Sequence, residues 1–153
     1  MRLVYLSVDD VLATYAKTVE VSGGGAIGVL DAGQLESVLQ NIQNDDWYPT
    51  FSAKLTHLFF GIAKFHCLQD GNKRTAITAC AHMLLVNGYL YCVKQFLHDM
   101  ENIAVQVADD IISKELLGEI IQAHPDQDTD NEALKLKILE AISVRDVDPN
   151  PVV

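Results

Sequence analysis

Two strongly apolar segments, separated by a short polar stretch, occupy the middle of the 153-residue chain. The spacing of their apolar side chains predicts helices over residues 52–65 and 72–87, with Gly88 ending the second helix in a left-handed conformation. Both helices are apolar around much of their circumference, so other elements have to cover them. A chain of this length can bury such a core without disulfides or metals. The sequence therefore predicts an all-α domain with these two helices at its centre.

Weaker patterns predict the elements around this central pair. Ser7, Asp31 and Ser113 stand where a side chain can cap a helix by accepting a hydrogen bond from a first-turn N–H. Residues 22–29 hold four glycines, too many for a helix. We predict that this segment forms a flap with the structure of a small β-hairpin. We expect one domain over residues 1–122, followed by a linker, C-terminal helix and tail over residues 123–153. The other predicted helices are 8–20, one that includes 35–42, 98–112, 113–122 and 131–144, with a short extended segment at 89–93.

The charge of the chain is unevenly distributed. Its formal net charge is −10, which argues against binding to nucleic acid or anionic lipid, since basic excess supplies that affinity. Residues 47–98 nevertheless hold five cations and a single acid, Asp70, so this segment carries +4 and the remainder −14. The acidic remainder argues against a DNA-binding repressor or antitoxin. The cationic middle indicates a local site for a compact anion.

Other features of the sequence narrow the class of protein. Cys67, Cys80 and Cys92 are widely spaced, which fits neither a disulfide framework nor a zinc site. No apolar run approaches the roughly 20 residues of a membrane span. Acids follow the N-terminus too soon for a signal peptide, at Asp9 and Asp10. We therefore expect a cytoplasmic protein that does not contact membranes.

The polar stretch between the apolar helices is HCLQDGNKR, residues 66–74. Lys73 and Arg74 stand in the first turn of the second helix, where cations oppose the helix dipole unless an anion offsets them. Gly71 allows the backbone close to a ligand, and the N–H groups at a helix start bind phosphate readily. Asp70 adds a carboxylate of the kind that holds Mg²⁺ beside phosphate oxygens, and His66 adds a base that titrates near neutrality. The stretch predicts a site for phosphoryl or nucleotidyl transfer.

This stretch resembles the signature of the Fic/Doc (Fido) family, H-x-F-x-[DE]-G-N-[GK]-R. The segment GGGAIGVLDAGQLESVL is similar to the flap and following helix of the Doc (death-on-curing) branch, and the resemblance covers residues 1–122. It implies a Fic/Doc-like helical bundle with a glycine-rich flap. It also implies a transferase that uses ATP and Mg²⁺ to modify a hydroxyl of a target protein, for which a translation factor is a candidate.

The resemblance assigns a role to each residue of the site. His66 would be the general base that deprotonates the target hydroxyl, and Asp70 would hold Mg²⁺. Four residues would line the anion hole or contact the nucleotide phosphates, and six would form the flap that aligns the target chain. They are Gly71, Asn72, Lys73 and Arg74 for the nucleotide, and Gly23, Gly24, Gly25, Ala26, Ile27 and Gly28 for the flap.

Some positions depart from the commonest family pattern. Lys73 stands where most AMP-transferring members have a second glycine, and Ile77 where many have a second arginine. Both features resemble the Doc branch, in which the γ-phosphate is transferred, although Gly71 stands where that branch has alanine. Leu68 replaces the usual Phe, whose side chain anchors the loop in the core. We favour transfer of phosphate to a Ser or Thr hydroxyl; AMP transfer and a non-catalytic binding module of the same fold stay open as alternatives.

Two further features bear on regulation and reactivity. The family's inhibitory motif, [ST]-x-x-x-E-[GN], does not occur in the sequence. The resemblance therefore implies that a separate antitoxin restrains the activity in trans. Cys67 lies inside the signature, and the sequence leaves open whether it is a reactive thiol or a small packed residue.

Overall fold

The computed structural model describes residues 2–21, 28–65, 67–68 and 71–146, and within them the chain forms seven α-helices. The predicted all-α class is confirmed for this part of the chain. In chain order the helices are α1 (Val8–Val21), α2 (Ala32–Asn41), α3 (Phe51–Lys64), α4 (Asn72–Val86), α5 (Leu90–Ala108), α6 (Lys114–Ala123) and α7 (Glu132–Asp146).

Capping side chains fix the starts of several helices. The Ser7 hydroxyl accepts a hydrogen bond from Asp10 N at 3.1 Å while the Asp10 carboxylate accepts one from Ser7 N at 2.9 Å, a reciprocal capping box. Asp31 and Ser113 cap α2 and α6 as predicted, and Thr50 caps α3. These bonds satisfy N–H groups that have no partner within the helix.

Helices α3 and α4 lie side by side at the centre, as the sequence predicted. Most of the residues of α3 are buried, and α4 packs between α3, α1 and α5. Helix α2 crosses α3 closely at Gly61, where an added Cβ would lie 2.7 Å from Cγ2 of Val38. Glycine at position 61 therefore sets the distance between these two helices.

The prediction for residues 89–93 is wrong, and so is the predicted start of a helix at His98. Gly88 does adopt the predicted left-handed conformation, with φ +92, but α5 begins immediately afterwards at Leu90. Aromatic and β-branched residues give this run a high strand propensity, and a short apolar run does not reveal its period. Over the full length of α5 the helical spacing is clear, because the buried residues are Cys92, Phe96, Met100, Ala104 and Val107.

The C-terminal helix folds against the domain. The ammonium of Lys137 on α7 donates to the carboxylate of Glu119 on α6 at 2.7 Å. Leu134, Ile138 and Ala141 pack against the core from the same helix. No helix in the described part of the chain is long and apolar enough to cross a membrane.

Candidate active site

The predicted site lies where α3 ends and α4 begins. Of the signature, the structure describes Cys67, Leu68 and the four residues from Gly71 to Arg74. His66 and Asp70, the predicted base and metal ligand, lie outside the described residues. The same holds for Gln69 and for the flap residues Gly23, Gly24, Gly25, Ala26 and Ile27, on which the predicted β-hairpin falls.

Gly71 starts α4 in a left-handed conformation. Its φ is +75 and its ψ +19, and glycine, which has no side chain, provides no side-chain cap of its own. An added Cβ would lie 3.5 Å from the ring of Tyr15, an ordinary contact, so the backbone angle rather than lack of space favours glycine here. A helix start without a side-chain cap is suited to an anion.

Asn72 closes the loop that precedes α4. Its carboxamide oxygen accepts a hydrogen bond from Leu68 N at 3.1 Å, and its nitrogen donates to Leu68 O at 2.9 Å. The side chain of Leu68 is fully buried, so it anchors the loop in the core as expected. The Asn72 side chain thus fixes the loop by binding both backbone groups of one residue.

Lys73 and Arg74 are exposed and line one groove. The groove has a volume of about 390 Å³ and runs between α1, α4 and α5. Ile77 lies beside the two cations in this groove, and Glu101 of α5 faces it. Among the described residues no carboxylate lies within ion-pair distance of Lys73. The structure therefore brings both predicted phosphate-binding cations to one accessible surface.

Two other cations of the positive segment serve the fold. Lys54 is buried, and its ammonium donates to Ile42 O and to the carboxylate of Asp45, each at 2.7 Å. Lys64 forms an ion pair with Asp110. The charge excess noted in the sequence is thus partly neutralised by acids from outside the segment. Lys73 and Arg74 are the two cations of the segment that lie within the signature.

The C-terminal end of the predicted flap is attached to the signature loop. The backbone N–H groups of Leu30 and Asp31 donate to Cys67 O at 2.7 and 3.1 Å. Val29 pairs with Leu68 in an isolated antiparallel bridge, the one β-type pairing in the described ranges. The flap residue Gly28 therefore lies at the end of a segment that hydrogen bonds hold to the loop.

Tyr15 of α1 is also part of this assembly. Its side chain is buried, and its hydroxyl accepts a hydrogen bond from Gly28 N at 3.1 Å and donates to Gly28 O at 3.3 Å. Its ring faces Gly71. The sequence signal for this role is a tyrosine among the apolar residues of α1, because a buried phenol hydroxyl needs hydrogen-bond partners.

Cys67 is packed rather than poised for reaction. It is fully buried, and this burial, together with the nearby Asp31 carboxylate, raises the pKa of its thiol. A thiol with a raised pKa is a poor nucleophile. The structure supports the packed alternative of the two that the sequence left open.

A larger cavity lies elsewhere, between the first half of α3, α6 and α7. Its volume is about 860 Å³, and Tyr48 and Lys114 are among its lining residues. The Lys114 ammonium lies 2.9 Å from Nδ1 of His57, and the rings of Tyr48 and His57 stack at 4.5 Å. Burial and the charge of Lys114 lower the pKa of His57 to about 4. Volume alone does not mark a site, and this cavity holds none of the predicted site residues.

Comparison with known proteins shows which family this chain resembles in sequence. The model of the Fic/DOC family matches residues 5–84, more than half of the chain. Toxin Doc of Mycolicibacterium smegmatis is 32% identical over 123 residues, a match that covers 74% of this chain and 92% of that protein. This chain belongs to the Fic/DOC family. The Doc protein among its relatives agrees with the resemblance to the Doc branch seen in the sequence.

Membership of the Fic/DOC family gives the described contacts a context. The family match spans α1, α2, α3 and nearly all of α4, so it includes Tyr15 and Val19 of α1, which lie beside Gly71. Helices α5, α6 and α7 lie beyond the matched residues. The groove beside Lys73 and Arg74 is completed by α5, so it includes residues outside the family match.

Proposed function

We propose that this chain is a toxin-like transferase that moves the γ-phosphate of ATP to a Ser or Thr hydroxyl of a target protein. The observation that carries the proposal is the start of α4. There a left-handed glycine, the first N–H groups of a helix and two exposed cations occupy adjacent positions. The name of the M. smegmatis relative, Toxin Doc, supports the toxin-like part.

The described residues favour binding of a phosphate chain. Cations in a first helical turn are unfavourable by a few tenths of a kcal/mol or more unless an anion lies beside them. Lys73 nevertheless stands there exposed, on one groove with Arg74, and no carboxylate of the described residues lies within ion-pair distance of it. Phosphate groups bound at the helix start would offset this cost. Lys73, in place of the glycine of most AMP-transferring members, favours the γ-phosphate as the group transferred.

The proposed step is an in-line displacement at phosphorus. His66 accepts the proton of the target hydroxyl as that oxygen forms a bond to the γ-phosphorus. The bond from this phosphorus to the bridging oxygen breaks, and ADP leaves with the electron pair. Lys73 and Arg74 stabilise the charge on the phosphate oxygens, where fixed cations contribute most.

Mg²⁺ belongs to this proposal on the ground of the sequence, which places Asp70 beside the proposed phosphate site. Within the described ranges no cluster of three or more His, Cys, Asp or Glu side chains is placed to hold a metal. Mg²⁺ is commonly held by one or two carboxylates together with substrate phosphates, and Asp70 would supply that carboxylate. The ion would neutralise charge on the phosphates when bound.

The same site favours two alternatives less strongly. In AMP transfer, the target oxygen would attack the α-phosphorus and pyrophosphate would leave. In a non-catalytic binding module, the anion site would hold a ligand without transfer. The absence of the inhibitory motif from the sequence supports restraint by a separate antitoxin. Since the proposed enzyme uses ATP, we propose that it acts in the cytoplasm.

A labelling experiment separates these functions. Purified protein is incubated with Mg²⁺ and a cell lysate, once with ATP labelled at the α-phosphate and once with ATP labelled at the γ-phosphate. We expect label on a lysate protein from the γ position only. His66→Ala should remove it, whereas His98→Ala, which changes a histidine with an 88% exposed side chain on α5, should leave it unchanged.

The other outcomes decide against the proposal. Label from the α position would replace phosphate transfer by AMP transfer. If the protein is folded by circular dichroism and transfers no label from either nucleotide, the result would favour the non-catalytic binding module. Label that persists in His66→Ala would overturn the assignment of the base.

A further inference from the structure

Tyr15 joins three parts of the site that are distant in the sequence. It lies on α1, its hydroxyl binds both backbone polar groups of Gly28, and its ring packs beside Gly71. Gly28 ends the predicted flap, and Gly71 begins α4. One buried side chain therefore lies between Gly28 and the start of α4.

We infer that Tyr15 is a positioning residue that sets the location of the flap relative to the phosphate site. The inference rests on the proposed function, in which the flap aligns the target chain. The distance between the aligned hydroxyl and the phosphate depends on how the flap is held. Misplacement of a reacting group by about 1 Å can lower a rate by on the order of a hundredfold.

A second attachment fixes the same segment from the other side. Cys67 O accepts hydrogen bonds from Leu30 N and Asp31 N, two and three residues after Gly28. These bonds hold the segment to the signature loop and leave Gly28 to be oriented by Tyr15. The phenol is suited to this because it can accept from one backbone group and donate to the other at once.

The contact between Tyr15 and Gly71 makes this orientation specific. Tyr15 is 1% exposed, so its ring is enclosed by the core beside the helix start. A side chain at Gly71 would have its Cβ in van der Waals contact with the ring, at 3.5 Å. Any shift of α4 at this point would therefore be passed through the ring to Gly28.

The test uses Tyr15→Phe, which keeps the ring and removes only the hydroxyl. Labelling is measured against the concentration of lysate protein and, separately, against the concentration of ATP. We expect the lysate concentration for half-maximal labelling to rise at least roughly fivefold, since the change removes both hydrogen bonds to Gly28. The ATP concentration for half-maximal labelling should stay within about twofold, since the ring still packs beside Gly71.

The matched control is Tyr91→Phe. That hydroxyl donates to Pro125 O at 2.7 Å and joins α5 to the segment after α6. The Tyr91→Phe substitution removes a hydroxyl at a site remote from the signature. Both half-maximal concentrations should therefore be unchanged. Equal changes in the two variants, or a Tyr15→Phe variant that alters the ATP dependence alone, would overturn the inference.

Hydrogen exchange distinguishes failure of this inference from failure of the proposed function. In Tyr15→Phe the peptide that contains Gly28 should exchange at least several-fold faster, whereas Tyr91→Phe should not affect it. Unchanged exchange at Gly28 would overturn the positioning role even in an active enzyme. A wild-type protein that transfers no label would overturn the proposed function, and faster exchange would still support the attachment of the flap by Tyr15.

Discussion

Helix α4 is closed in the same way at both ends. At its start, Gly71 has a positive φ and Asn72 binds the N–H and C=O of Leu68. At its end, the order is reversed, since Asn87 binds the N–H and C=O of Val4 and Gly88 has a positive φ. The two ends use the same pair of residue types for the same backbone purpose.

The difference between the ends lies in what surrounds these residues. The start has two exposed cations beside it and the end of the flap attached nearby. Apolar side chains, Leu85 and Val86, are exposed near the other end. A glycine and an asparagine in a signature thus need not act on a ligand through their side chains. They shape the loop, and the neighbouring charges give it a chemical use.

The sharpest way to test this comparison is to change the two asparagines in parallel. Asn72→Ala removes the carboxamide that binds both backbone groups of Leu68, and these groups are left without a partner because Leu68 is buried. Asn87→Ala removes the equivalent bonds from Val4, which is half exposed and can bind water instead. We expect Asn72→Ala to lower the free energy of unfolding by about 2–4 kcal/mol and Asn87→Ala by about 1 kcal/mol. Urea unfolding measures both values.

The activities should differ more than the stabilities. At a temperature where both variants are folded, we expect transfer of label to fall at least about tenfold in Asn72→Ala, because loosening the loop displaces the helix start. Asn87→Ala should retain nearly full transfer. Equal losses of transfer would mean that the α4 start has no special role.

The sequence predicted most of this architecture but not the contacts that organise the site. The centre of the fold followed from the apolar periodicity of α3 and α4, and Ser7, Asp31 and Ser113 were found because capping is a local interaction. The start of α5 was missed because residues 89–93 are too few to show a helical period. Local sequence pattern therefore predicts long apolar helices and capping residues, and it does not predict where a helix begins in a short apolar run.

The positions of Tyr15 and Asn72 could not be read from local pattern. The hydroxyl of Tyr15 binds a residue 13 positions away, and its ring faces Gly71, much further along the chain. The sequence suggested that Asn72 lines an anion hole, and its contact with the Leu68 backbone becomes visible only once the loop has a conformation. Tertiary structure determines which polar groups remain to be satisfied.

Acid should lower the stability of the fold through His57, which is buried in the middle of α3. Burial and Lys114 lower the pKa of His57 from about 6.5 to about 4, so the unfolded chain binds a proton in this range that the folded protein does not. Stability is therefore lost as pH falls from about 6.5 towards 4, by about 2 kcal/mol once solvent screening is allowed for. Urea unfolding at pH 7 and pH 5 should show this loss.

His57→Gln tests the assignment, with His98→Gln as the exposed control. The first variant should flatten the pH dependence between pH 5 and 7, and the second should leave it as in the wild type. A wild-type slope that survives His57→Gln would assign the acid sensitivity to other groups. The two ends of α4 are best compared above pH 7, where this effect is absent.

The smallest expected difference comes from the two glycines. Gly71→Ala and Gly88→Ala each place a Cβ on a residue with positive φ, which costs about 1–2 kcal/mol. Neither Cβ meets a close atom, since the nearest lies 3.5 Å away at Gly71 and none lies within 4 Å at Gly88. The stability losses should therefore agree within about 0.5 kcal/mol. Transfer of label should fall a fewfold in Gly71→Ala alone, because the strained backbone there displaces the start of α4, where the phosphate is proposed to bind. Equal transfer by both variants would show that the two ends of α4 tolerate the same backbone strain.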